Sequence, residues 1–310
     1  LALGYHRGTA DPCFFWRKEG SEYLFAVVHV DDFAVTATRR SLFQTFVTDM
    51  KRAYVVTITD SVNHFLGRHI TNLSNGDRLL SQPGLLDKLV TRYPQAVLVA
   101  TLPTVPMSAA FSDDEQDASP LCDTTEFMEL LGSLLYLTKT RPDVSYAVDR
   151  MAMRAKKATE KDFNSLLRIL SYLANTRSAG ILLTASESTF DIVLEAWSDA
   201  AYACHTTGHS HTGIGFKLAT LSSGFFFSKS VKQTTVATSS TEAELYAAVN
   251  AVKEVIWVRL LLTEIGFPQL KPTILFVDNK SLITLASDYS GNHKRVKHFM
   301  VSLQFLTEQG

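Results

Sequence analysis

Three acids in the last third of the chain stand in separate local contexts: Asp199 in WSDA, Glu244 in TSSTEAEL and Asp278 in FVDN. Carboxylates are hard oxygen donors, so several that converge suit a divalent cation. Hydropathy period places each on a different element. Ile192 to Ala203 has the period of a strand, Ser239 to Ile265 that of a long amphipathic helix, and Thr273 to Val277 is a short apolar strand that ends in Asp278. Acids on separate elements can meet in space. At the level of pattern two readings stay open: a cation site, or three unrelated surface acids.

Helix geometry separates Glu244 from its neighbour Glu242, because residues two apart point about 200° from each other around the axis. Ser239 with Glu242 three residues on is a capping box, which gives Glu242 a structural task at the first turn. Glu244 shares its face with Ala248, Ala251 and Val255 and so heads the stripe that packs on the sheet. A carboxylate there needs a partner, and with no Lys or Arg at core spacing a cation serves better than a salt bridge.

Three other clusters carry polar chemistry. HVDD puts Asp31 and Asp32 side by side between apolar strands, and adjacent residues can serve one metal only at a turn. A hairpin tip is therefore expected, either as metal ligands or as an ordinary solvated turn. Cys204, His205, His209 and His211 lack a second Cys and a standard zinc spacing, and a polar loop accounts for them. His293, Lys294, Arg295, Lys297 and His298 form the densest basic run, suited either to phosphate contact or to a solvated helix start.

These elements sit in a chain of 310 residues, 46% apolar and 20% charged, long enough for two domains with a sizeable core. A net charge of -1 does not announce a nucleic-acid binder, so any such role must reside in local clusters. Three scattered cysteines exclude a disulfide framework and point to small buried apolar residues in a reducing compartment. No signal peptide or membrane-length apolar run is visible, so an intracellular, cytoplasmic or nuclear location is expected.

Taken in order, DPCFFWRKEG and SEYLFAVVHVDDFAVTA predict strands about a turn at Gly20. A hairpin is expected around Asn75 and Gly76, and a helix from Pro83. The stretch 102–124, with Pro103, Pro106, Pro120 and an acidic run, has little periodicity and is expected to be a linker. Beyond it two helical stretches predict a small bundle, interrupted at Arg141 and Pro142. Its basic residues Lys156, Lys157, Lys161, Arg168 and Arg177 form either a solvated face or a nucleic-acid contact.

The strings TVATSSTEAEL, SKSVKQ, HKRVKHF and LGSLLYLTKTRPDVSYAV, in this order and spacing with SDA and VDN, resemble copia-type long-terminal-repeat retrotransposon polyproteins. The resemblance covers essentially the whole chain. It implies an α/β architecture with a reverse-transcriptase palm and thumb remnant at 1–101, the linker at 102–124 and a helical connection at 125–187. A ribonuclease H domain with a mixed five-stranded sheet would follow at 188–310, an incomplete sheet being the alternative because the chain stops at Gly310. It also implies that Asp199, Glu244 and Asp278 bind two magnesium ions, with manganese as an alternative, and cut the RNA strand of RNA/DNA hybrids. Single-stranded nucleic acid and a missing upstream polyprotein segment are further implied partners; no membrane is.

The sequence departs from the family in three places. HVDD has His29 where the family has Tyr. Asp11 is the only aspartate before that box, so the third polymerase aspartate is expected to be missing and Asp31 and Asp32 to be remnants. Met300 stands where the family commonly has a fourth nuclease acid, and a thioether is a poor ligand for magnesium. Impaired hydrolysis is therefore expected, and the rival expectation is a non-catalytic nucleic-acid-binding or assembly protein.

Overall fold

The computed structural model describes residues 4–59, 61–99, 101–108, 111, 119–184, 192–218, 223–287 and 305. The N-terminal sheet has the order β1 (His6–Arg7), β2 (Phe14–Glu19), β3 (Glu22–His29) and β4 (Asp32–Ala37), all antiparallel. Gly20 closes the first turn at φ 62°. The second turn is Val30 and Asp31, because His29 pairs with Asp32. Val30 takes φ 55° there, a left-handed conformation that costs a β-branched residue strain. Helix α1 (Arg40–Ala53) covers one face through Leu42 and Phe46, packed with Leu24, Ala26 and Tyr5.

A second antiparallel sheet joins distant parts of the chain. Strands β5 (His64–Phe65), β6 (Arg68–Asn72) and β7 (Arg78–Ser81) form the expected hairpin, with Gly76 at φ 88° in its turn. Its fourth strand, β8 (Ile181–Leu183), comes from beyond the helical bundle. Helix α2 (Pro83–Arg92) then packs in one core with α3 (Thr124–Leu137), α4 (Ser145–Ala152) and α5 (Glu160–Asn175). The described part of 102–123 has no helix or named strand, α3 beginning at Thr124, and Met107 and Phe111 within it pack on that shared core. Arg141 and Pro142 interrupt the bundle as expected. The buried Arg141 guanidinium pairs with Asp143 and donates to the Thr176 carbonyl at 3.0 Å, which fixes the short turn Pro142–Val144.

The third sheet has the order β11 (Phe227–Lys232), β10 (His211–Leu218), β9 (Leu194–Ala201) and β12 (Ile274–Phe276). Strands β9, β10 and β11 are antiparallel, whereas β12 runs parallel to β9, so the sheet is mixed. It has four strands among the described residues where five were expected. Helix α6 (Ser240–Glu264) lies on it, with Ala251, Val255, Val258 and Leu262 against Leu194, Ala196, Ile214 and Phe216. The expected stripe of Glu244, Ala248, Ala251 and Val255 is buried. The first half of α6 is not amphipathic, however, because Leu245 and Val249 on another face are covered by Leu282 of α7 (Lys280–Ser287). Cysteines depart from expectation too: Cys13 is exposed and Cys122 and Cys204 half-buried, and none of the three is in a disulfide. No described helix is long and apolar enough to cross a membrane.

Candidate metal centre

The site lies where the third sheet forks. Strand β12 pairs with β9 only from Ile274 opposite Glu195 to Phe276 opposite Trp197, while β9 continues to Ala201. Past that point the Ala200 N–H has no β12 neighbour, and it donates to Glu244 Oε1 at 3.1 Å. Asp199 on β9 and Asp278 just after β12 flank the fork, both exposed. One carboxylate oxygen from each of Asp199, Glu244 and Asp278 lies within 4.8 Å of the others. No other described group of three or more acids, His or Cys is gathered in this way.

Glu244 is 5% exposed, and its Oε2 has no hydrogen-bond partner. Burial pushes its pKa up to about 7, the Ala200 N–H opposing and the charges of Asp199 and Asp278 adding to the rise. A buried carboxylate with one orphaned oxygen, gathered with two open carboxylates that are likewise hard oxygen donors, fits a divalent cation.

Glu242 has a different environment. The Ser239 hydroxyl accepts from the Glu242 N–H at 3.1 Å, as a cap should. The return arm differs from the expected capping box: Glu242 Oε2 accepts from the Thr238 N–H and hydroxyl, and Oε1 from the Tyr246 hydroxyl at 2.8 Å. Glu242 is buried at 3% exposure. Facing the sheet is thus not what distinguishes the two glutamates; satisfaction is, since both Glu242 oxygens are occupied and one of Glu244 is not.

Asp31 and Asp32 sit exposed on the hairpin, as anticipated. Asp31 lines a cavity of about 700 Å³ with Tyr5, Phe15, Phe46 and Tyr54 among its apolar walls. Among the described residues no third donor joins the pair. His293, Lys294, Arg295, Lys297, His298 and Met300 lie outside the described residues.

The Cys204 to His211 cluster gathers no three metal donors among the described residues. Instead His205 and His211, both buried, share a contact of 3.2 Å between Nε2 and Nδ1. His211 Nε2 meets Ser230 Oγ at 2.8 Å and Asp149 of α4 at 3.3 Å. Burial raises the Asp149 carboxyl to about 6, against the pull of Arg150. This contact joins the helical bundle to the third sheet, and nothing in the local sequence pattern marks it.

No protein-family model matches the chain. Curated relatives do. It is 30% identical over 309 residues to the retrovirus-related Pol polyprotein from transposon RE1 of Arabidopsis thaliana, covering 100% of this chain and 20% of that protein. The corresponding protein from transposon RE2 of the same plant is 30% identical over 314 residues, covering 100% and 21%. That from transposon TNT 1-94 of Nicotiana tabacum is 26% identical over 318 residues, covering 98% and 23%. The chain thus spans about a fifth of the length of these relatives.

Proposed function

We propose, from the premise that this chain is a relative of the retrovirus-related Pol polyproteins of transposons, that it is a metal-dependent ribonuclease acting on the RNA strand of RNA/DNA hybrids. The observation that carries the reading is the convergence of Asp199, Glu244 and Asp278 within 4.8 Å, one of them buried with an unpartnered oxygen.

Asp199, Glu244 and Asp278 would hold magnesium, or manganese in its place, which when bound supplies an activated water and neutralises charge on the leaving oxygen. The chain's own contribution is placement. Ala200 fixes one Glu244 oxygen and leaves the other without a hydrogen-bond partner. Asp199 and Asp278, on the solvent side, keep the site open to a phosphodiester. The basic run His293, Lys294, Arg295, Lys297 and His298 is assigned to the nucleic-acid backbone by its composition. Asp31 and Asp32 are assigned as remnants of a polymerase centre, within a copia-type reverse transcriptase and ribonuclease H segment.

The test is cleavage of a hybrid labelled on either strand, in magnesium and in manganese, by the wild type and by Asp199→Asn. Cutting of the RNA strand alone, lost in Asp199→Asn, is expected. A folded wild type that binds hybrid but cuts neither strand in either metal would instead establish a non-catalytic nucleic-acid-binding protein.

A further inference from the structure

Gln233 follows β11 directly and is buried at 6% exposure. Its side-chain amide donates to the Ala243 carbonyl at 2.9 Å and to the Thr212 hydroxyl at 3.0 Å, and its backbone N–H donates to the Ser210 carbonyl at 2.9 Å. Thr212 is the cross-strand partner of Ala200. Ala243 immediately precedes Glu244, and Glu244 accepts from Ala200. These contacts close a ring from Ala200 across the sheet to Thr212, through the Gln233 amide to Ala243, along the helix to Glu244 and back to Ala200.

We infer that Gln233 is the positioning residue of the metal centre: it locks the first turn of α6 to β10 so that Glu244 reaches the Ala200 N–H and is gathered with Asp199 and Asp278. The helix could lie on the sheet through its apolar stripe alone, but apolar packing is non-directional and does not fix rotation or register to a fraction of an ångström. Two directed hydrogen bonds from a buried amide do. The choice of amide is specific. Both partners accept from the same nitrogen, so only a side chain carrying a donor at this reach can close the ring. The Gln233 Oε1 has no hydrogen-bond partner among the described residues, which leaves the donating nitrogen as the used end.

The inference rests on the metal-binding reading for its functional consequence, and its test separates the two. Gln233→Met keeps length and apolar volume and removes the donor. Amide exchange of Ala200, followed by NMR on the metal-free chain, reads whether Glu244 still caps it. Manganese titration by calorimetry reads the centre itself. Thr140→Val, which removes another buried side-chain hydrogen bond, to Gln82 in the helical bundle, is the control for general loosening. In Gln233→Met, Ala200 should exchange at least about tenfold faster, and manganese affinity should fall by about tenfold or more, as when outer-shell partners of metal ligands are lost. Thr140→Val should change neither. If Ala200 exchange in Gln233→Met matches the wild type, or rises equally in Thr140→Val, the positioning role is wrong. If the wild type takes up no manganese, the metal reading fails, while the Ala200 measurement still decides the placement of Glu244.

Discussion

Replacing Glu244 by Gln should stabilise the metal-free protein, and only on the alkaline side. The carboxyl titrates near 7 in the folded chain against an ordinary value of 4.5. A group whose folded pKa is raised contributes stability that is fully present below the unfolded pKa and is lost as pH climbs through the folded one. Between about pH 4.5 and 7 the native state therefore keeps a proton that the unfolded state has released. The difference, 7 − 4.5 = 2.5, converts at about 1.4 kcal/mol each to roughly 3 kcal/mol of lost stability by pH 8, an upper bound if the site relaxes. Gln at this position carries no charge to desolvate, and its carbonyl can still accept from Ala200. Urea unfolding in chelator, at pH 4.5 and pH 8, measures both proteins. Glu244→Gln should match the wild type within experimental error at pH 4.5 and exceed it by up to about 3 kcal/mol at pH 8. Parallel pH profiles for the two proteins would refute the burial argument for Glu244.

Glu242→Gln should cost about 1 kcal/mol of stability, because one of its oxygens is replaced by a donor, and should leave manganese affinity nearly unchanged; equal loss of affinity in Glu242→Gln and Glu244→Gln would contradict the assignment. Val30→Asn should raise stability by about 1 kcal/mol in thermal melts, since Asn tolerates the left-handed turn that Val30 occupies, and a fall would show that the turn is held for another reason. The 310-residue chain by itself should not extend a primer on an RNA template, because Asp31 and Asp32 gather no third ligand among the described residues; extension abolished by Asp31→Asn would overturn this.

The carboxylate cluster was legible because each of its acids lies on an element with its own period. Strand alternation around Asp199, the apolar run ending at Asp278 and the stripe headed by Glu244 are local signals, and the observed strands and helix fall within two residues of those expected. The contacts that tune the centre are non-local and carry no such period. Nothing in the spacing of Gln233 shows that it bridges Thr212 and Ala243, and the Ala200 N–H is left to Glu244 because the pairing of β12 with β9 ends before it. Strand β8 was missed for a similar reason: three residues give no alternation, and its partner β7 lies about a hundred residues away. The first half of α6 lacks the amphipathic pattern expected of the whole helix, since apolar residues there face both the sheet and α7. The pairing of His211 with Asp149 shows the limit of cluster reading, for the histidines are drawn together by packing between bundle and sheet and not by a metal-ligand spacing.

The central claim is that Asp199, Glu244 and Asp278 together hold a divalent cation. Manganese soaked into crystals of the chain and located by anomalous diffraction tests it most directly. The account predicts a peak within coordinating distance, roughly 2.0 to 2.3 Å, of oxygens from all three side chains, lost in Asp199→Asn. A manganese-saturated crystal with no peak between these carboxylates, or one bound elsewhere and indifferent to Asp199→Asn, would contradict it.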